Sequence, residues 1–199
     1  MNICKVLISL TAATALFAAD SAGDDRRMLL DHLSKSADGF ESSIKGLTPE
    51  QWSFKPAPDV WSVAECAEHI VLTENLLRDM VANKILTSPE KTDRTGRATD
   101  EEVLAMITNR TTKAKAPEML KPSGQFTDPS TALAKFRESR EKTMALAKSN
   151  AEFRAHVSPH SVLKKDLDGQ QWLLYLSGHT MRHTAQIQEV KANSAFPQK

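Results

Sequence analysis

Cysteine is almost missing from this chain: there are two in 199 residues, Cys4 and Cys66. A fold built on disulfides is therefore excluded. Glycine and proline are scarce as well, at 7 and 9, which removes collagenous and low-complexity architectures. No apolar run reaches the ~20 residues of a comfortable membrane span. An excess of one charge is also lacking, with 26 basic against 25 acidic side chains. Without a basic stripe to neutralise phosphates, nucleic acid is not an expected partner. What remains is 40% hydrophobic and 26% charged, an ordinary globular chain long enough to bury a core unaided.

The first nineteen residues differ from the rest. Lys5 is followed by an apolar run from Val6 to Ala19, with small residues before Asp20. A basic start, a short apolar stretch and a small-residue end predict a secretory signal peptide over 1–19. The mature chain would then be one domain, 20–199, that is periplasmic or secreted and has no membrane segment. Lys5 is the one charged residue removed, so that chain would carry equal numbers of basic and acidic side chains. Cys4 would leave too, making Cys66 the sole thiol, whether core, reactive or a ligand.

Apolar residues recur at helical spacing. Leu29, Leu33, Ala37, Phe40, Ile44 and Leu47 form one stripe from about Asp24 to Gly46, where glycine offers a stop. Thr48-Pro49-Glu50-Gln51 is a capping box with proline at the first helical position, predicting a short turn. Ser62-Val63-Ala64-Glu65 is a second capping box, and a long helix should run from it to about Leu86. Thr99 to Glu102 opens a shorter helix ended by Pro117 and Pro122. A third long helix begins at Asp128-Pro129. Residues 150–166 read as loop, and Asp168 to Gln171 cap a final helix. With no strand signal, the expected fold class is all-α: a four-helix bundle with a long, partly helical connection between the second and third long helices.

Within the last helix, Trp172, Leu176, His179, His183, Gln186 and Val190 share a stripe. His179 and His183 stand at i, i+4, so both rings can reach one metal ion or pair with other polar groups. His69, between Ala67 and Ile70 in the second long helix, is either a third ligand or a satisfied core histidine. Two sharper templates fail. A zincin needs Glu after its first histidine, and that position is Thr180. Di-iron bundles need Glu three residues before His, and those positions are Cys66, Leu176 and Thr180. Cys66, at i−3 from His69, is a candidate fourth ligand or a small hydrophobe. Gln186 could orient His183 or be a core amide. Arg182 and Arg140 could hold an anionic substrate or form ordinary ion pairs. His32, His156 and His160 read as surface residues, and Trp52 and Trp61 as lids on the core ends.

Several segments in this order resemble the DinB-like family. They are Leu47-Thr48-Pro49-Glu50-Gln51-Trp52, Lys55-Pro56, Trp61 through His69, and His179 through Ile187, together spanning about 24–192. The resemblance implies a four-helix bundle with one metal ion on His69, His179 and His183. It also implies chemistry like that of the family's thiol-dependent transferases and isomerases, with zinc, nickel or manganese and a low-molecular-weight thiol. The chain departs from the family in its export signal and in the cysteine near the site. Two functions follow: a metal-dependent transferase or hydrolase-type enzyme for a small molecule, or a non-catalytic exported bundle whose histidines are structural or binding residues. The wide apolar face of the second long helix leaves a homodimer open.

Overall fold

The computed structural model describes residues 11–111 and 115–198, with side chains from residue 23 onward. Four long helices form the bundle: α1 (Thr11–Ile44), α3 (Val63–Met80), α5 (Pro129–Lys148) and α6 (Gly169–Lys191). Short helices α2 (Pro49–Ser53) and α4 (Asp100–Thr108) sit in the connections, and a 3-10 turn spans Glu118–Leu120. The four-helix architecture and its partly helical second-to-third connection are as the sequence predicts. Residues 1–10 of the expected signal peptide lie outside the described residues, and the expected cut after Ala19 falls inside α1. Among the described residues no helix is long and apolar enough to cross a membrane.

Local signals set the helix starts. Thr48, Ser62, Thr99 and Asp168 all close reciprocal capping boxes, each satisfying two otherwise orphaned N–H groups. Gly46, at φ +70°, adopts the left-handed conformation just beyond α1 that glycine reaches without steric cost. The last turn expected of α3 is present but widened into a π-helical turn over Val81–Ile85. Helix α4 ends at Thr108, well before the prolines.

One expectation is overturned. A hairpin, β1 (Val157–His160) antiparallel to β2 (Lys165–Asp168), begins within the stretch read as loop and runs two residues past it, with Val157 opposite Asp168 and His160 opposite Lys165. Strands this short, one carrying Pro159, show no alternation for the sequence to reveal. Their pairing is set by what they support: Leu167 is buried and Asp168 caps α6.

The core lies in two apolar clusters along the bundle. One gathers Leu29, Leu33, Leu77, Val81, Val103 and Leu173; the other gathers Phe40, Ile44, Trp52, Cys66, Phe136 and Ile187. Between them, every long helix turns polar. Ser36, Glu74, Arg140, Thr143, Ser177 and Thr180 are all buried; His179 and His183 flank Thr180 on α6, and His69 lies five residues before Glu74 on α3.

Candidate metal centre

The position of His69 is set at the start of α3. The Ser62 hydroxyl accepts from the Glu65 N–H at 3.1 Å, while the Glu65 carboxylate accepts from the Ser62 N–H at 2.7 Å and from Lys55 Nζ at 2.8 Å. With the first turn fixed, His69 falls among the consecutive buried residues Cys66 to Val71. On α6, Asp168 and Gln171 cap each other, and Gln171 Nε2 donates to the Ala98 carbonyl at 2.7 Å. His179 and His183 follow on the face turned toward α3.

The three rings meet. His69, His179 and His183 are 4%, 8% and 8% exposed. Each offers a ligand atom, and these atoms all lie within 4.8 Å of one another. His69 Nε2 stands 3.1 Å from His179 Nε2. Two nitrogens bound at 2.0–2.1 Å in a tetrahedral set lie roughly 3.3 Å apart, so this spacing suits a shared ion.

Tautomers follow from the partners. His69 Nδ1 is 2.7 Å from the Leu120 carbonyl, which can only accept, so Nδ1 carries the proton and Nε2 keeps its lone pair. His183 Nδ1 donates to Gln186 Oε1 at 2.9 Å, and the same oxygen accepts from Arg110 Nη1 at 3.5 Å. Histidine ligands are commonly oriented in this way through their second nitrogen. Burial and the neighbouring His183 and His69 hold His179 well below the ordinary histidine range. Burial and the neighbouring His69 take His183 down to about 3, against the opposing pull of its bond to Gln186. Burial lowers His69 too, partly offset by the Leu120 bond. Neutral rings are the form that binds metal. The donor set therefore fits a divalent ion.

Trp61 stacks 4.8 Å from His69 and 6.0 Å from His183, centroid to centroid. It thus covers the histidines as well as a core end. Trp52 is core, its Nε1 donating to the Phe126 carbonyl at 3.0 Å. Gln186 proves to be the partner of His183.

Other candidates sit elsewhere. Cys66 packs in the apolar cluster with Phe40 and Trp52 and is not in the ligand group. Burial pushes its thiol up to about 12, so in the metal-free protein it stays protonated and unreactive. Arg140 is not available to a substrate. Its five N–H groups are spent inside the bundle: two on Glu74 at 2.6 and 2.7 Å, and the rest on Ser36, Thr180 and the Leu33 carbonyl. Arg182 braces the C-terminal end of α4, donating to the carbonyls of Ile107 and Asn109. His160 is buried against Trp172 and Tyr175 at 5.3 Å from each, and His156 Nδ1 bonds the Ser88 carbonyl at 2.7 Å, so neither is a plain surface residue.

Sequence reasoning missed Glu68 and the Leu120 carbonyl. An acid between Ala67 and His69 on an otherwise apolar stretch was the available signal for the first. A main-chain carbonyl leaves none.

Comparison with known proteins agrees with this geometry. A family model described as the DinB superfamily matches residues 32–187, which include all three histidines. An uncharacterized protein of Bacillus subtilis (strain 168), YuaE, is 31% identical over 151 residues, covering 75% of this chain and 89% of its own. The solved structure of YfiT from Bacillus subtilis is described as "a probable metal-dependent hydrolase with an unusual four-helix bundle topology". It superposes with a TM-score of 0.55 at 16% identity, covering 98% of this chain and 95% of that one. At that identity the likeness speaks for the fold alone. With the bundle and its buried histidine triad in place, the matches settle the family: this chain belongs to the DinB superfamily.

Proposed function

We propose that this protein is a metal-dependent enzyme of hydrolase or transferase type, acting on a small molecule at one divalent ion held by His69, His179 and His183. The observation that carries this reading is the commitment of Nδ1 in two of the rings, which leaves Nε2 of His69 and His183 as acceptors beside His179. Three neutral imidazoles leave a position open on zinc, nickel or manganese. When bound, the ion would lower the pKa of a water or of a low-molecular-weight thiol and so supply the nucleophile. The chain keeps the rings neutral by burial, orients two of them by hydrogen bonds, and shields them with Trp61. Cys66 is withdrawn into the core and does not compete. YfiT, which shares the fold, is described as a probable metal-dependent hydrolase, so hydrolytic substrates are among those to assay. The signal peptide would place the reaction outside the cytoplasm, which N-terminal sequencing of the exported protein tests.

The test loads metal-free protein with zinc, nickel or manganese and assays small esters, amides and thiol-transfer substrates, with and without a low-molecular-weight thiol. Turnover should need the ion, vanish on chelation, return on reloading, and be lost in His183→Ala. Turnover that survives chelation, or that is equal in His183→Ala, contradicts the proposal.

The near-complete burial of all three rings favours a second reading, a structural site without turnover. In that case chelation lowers the melting temperature sharply, because binding energy is then folding energy. An open catalytic site loses activity first.

A further inference from the structure

Glu68 and His69 are neighbours on α3, and both reach the same short stretch of the α4–α5 connection. Glu68 is 1% exposed. Its Oε1 accepts from the Ser123 N–H at 2.7 Å and the Ser123 hydroxyl at 3.0 Å. Its Oε2 accepts from the N–H groups of Gly124 and Gln125 at 2.8 and 3.0 Å. Three successive amides converging on one carboxylate form a nest. Gly124, at φ +85°, gives the backbone the left-handed turn that aims them.

Three residues before this clamp, the Leu120 carbonyl accepts from His69 Nδ1. Only Lys121 and Pro122 intervene. Proline fixes its own φ, and the Lys121 N–H is tied to the Glu118 carbonyl at 3.1 Å. The link from clamp to carbonyl is therefore short and stiff. An apolar anchor would also hold the loop down, but a carboxylate adds direction, because it fixes how the peptide planes face.

We infer that Glu68 is a positioning residue of the three-histidine site: by clamping Ser123–Gln125 it holds the Leu120 carbonyl against His69 Nδ1, so that the Nε2 lone pair of His69 faces His179 and His183. When the clamp is loosened, the ring is free to carry its proton on Nε2, the tautomer that cannot take a metal there. Glutamine cannot replace Glu68, since its single oxygen would serve two of the four donors while its NH₂ met the other two, at least one of them a main-chain N–H in either orientation. The link to metal affinity rests on the proposed function; the link to the tautomer does not.

The experiment compares the parent with Glu68→Gln as metal-free, ¹⁵N-labelled full-length proteins, using long-range ¹H–¹⁵N correlation to see which nitrogen of His69 bears the proton. Zinc affinity is then measured by competition with a chromogenic chelator. The parent should show one Nδ1–H tautomer. Glu68→Gln should show mixed or Nε2–H populations and bind zinc about 10–100-fold more weakly, as for loss of a ligand's outer hydrogen-bond partner. A variant that keeps the pure Nδ1–H tautomer and binds zinc within about twofold of the parent overturns the inference. A lower melting temperature decides nothing, since any lost anchor gives it. Should Glu68→Gln not fold, Ser123→Ala carries the test: a mixed tautomer or weaker zinc binding supports the clamp, and parent values in both overturn it. If the parent binds none of zinc, nickel and manganese, the enzyme proposal fails, and the tautomer alone decides the role of Glu68.

Discussion

Burial acts on a histidine in the opposite sense from a hydrogen-bonded carboxylate partner, and here it keeps the three rings in the neutral form and sets how stability should respond to acid. An unfolded histidine titrates near ~6.5, whereas burial and the neighbouring His69 hold folded His183 down at about 3, and His179 lies well below the ordinary range. Above pH ~6.5 both states are neutral and nothing is lost. As the pH falls below that, the unfolded chain gains protons that the folded rings refuse, so metal-free protein should lose stability steadily toward about 3. Denaturant melts across pH should show this slope already between about 6.5 and 5, above the ordinary carboxylate range. His179→Leu should flatten it; an unchanged slope would mean that the rings are not buried neutral. Gln186 belongs to the same scale. Gln186→Leu removes the acceptor of His183 Nδ1, and zinc affinity should fall about 10–100-fold in a competition titration. This amide, like the histidine pair, was legible because i, i+3 and i, i+4 spacing places side chains together on one helix face. Arg140 and His160 were not, because their partners (Glu74, and the Trp172–Tyr175 pair) lie far off in sequence.

At the scale of elements, α6 is the axis on which the site is mounted, and Gly178 sets how closely α4 can approach it. A Cβ at Gly178 would stand 2.3 Å from Ile107 Cγ2, so something must move. Gly178→Ala should cost about 1–3 kcal/mol through overpacking. Adding Ile107→Ala should recover part of that loss, a coupling that thermal melts of the two single variants and the double variant measure. The chain after α4 is braced to α6 through Arg182, Arg110 and Glu189. A displaced α4 is therefore expected to weaken zinc binding too. Helix starts were readable because a capping box is wholly local. The hairpin was not, since four-residue strands carry no period and depend on what they pack against. Nor was the early end of α4, which stops at Thr108 with no proline nearby.

Across the whole molecule, one buried ion pair ties the four long helices together. Glu74 on α3, with a side chain 0% exposed, takes the fork of Arg140 from α5 and the hydroxyl of Thr143. Arg140 reaches α1 through Ser36 and α6 through Thr180. Removing one partner leaves a buried charge alone, so Glu74→Ala should cost about 3–5 kcal/mol. The double replacement Glu74→Leu with Arg140→Met should cost far less, as chemical denaturation would show. The bundle itself was legible from stripes of apolar residues, because hydrophobic period decides fold class. The polar layer dividing its core was not, because Ser36, Glu74, Arg140 and Thr180 gain meaning only when four helices meet. Likewise the triad was legible as three histidines, while the reason two of them present Nε2 lies in a carbonyl and an amide that only the fold brings near.

Elemental mass spectrometry reads directly whether these three rings hold a metal ion. The sample is untagged protein reconstituted with zinc, nickel or manganese and freed of loose ions, beside His69→Ala and His179→Ala. About one equivalent is expected in the parent and almost none in either variant, with both variants still helical by circular dichroism. No bound metal in the parent with any of the three ions, or equal metal in the variants, would contradict the three-histidine metal site.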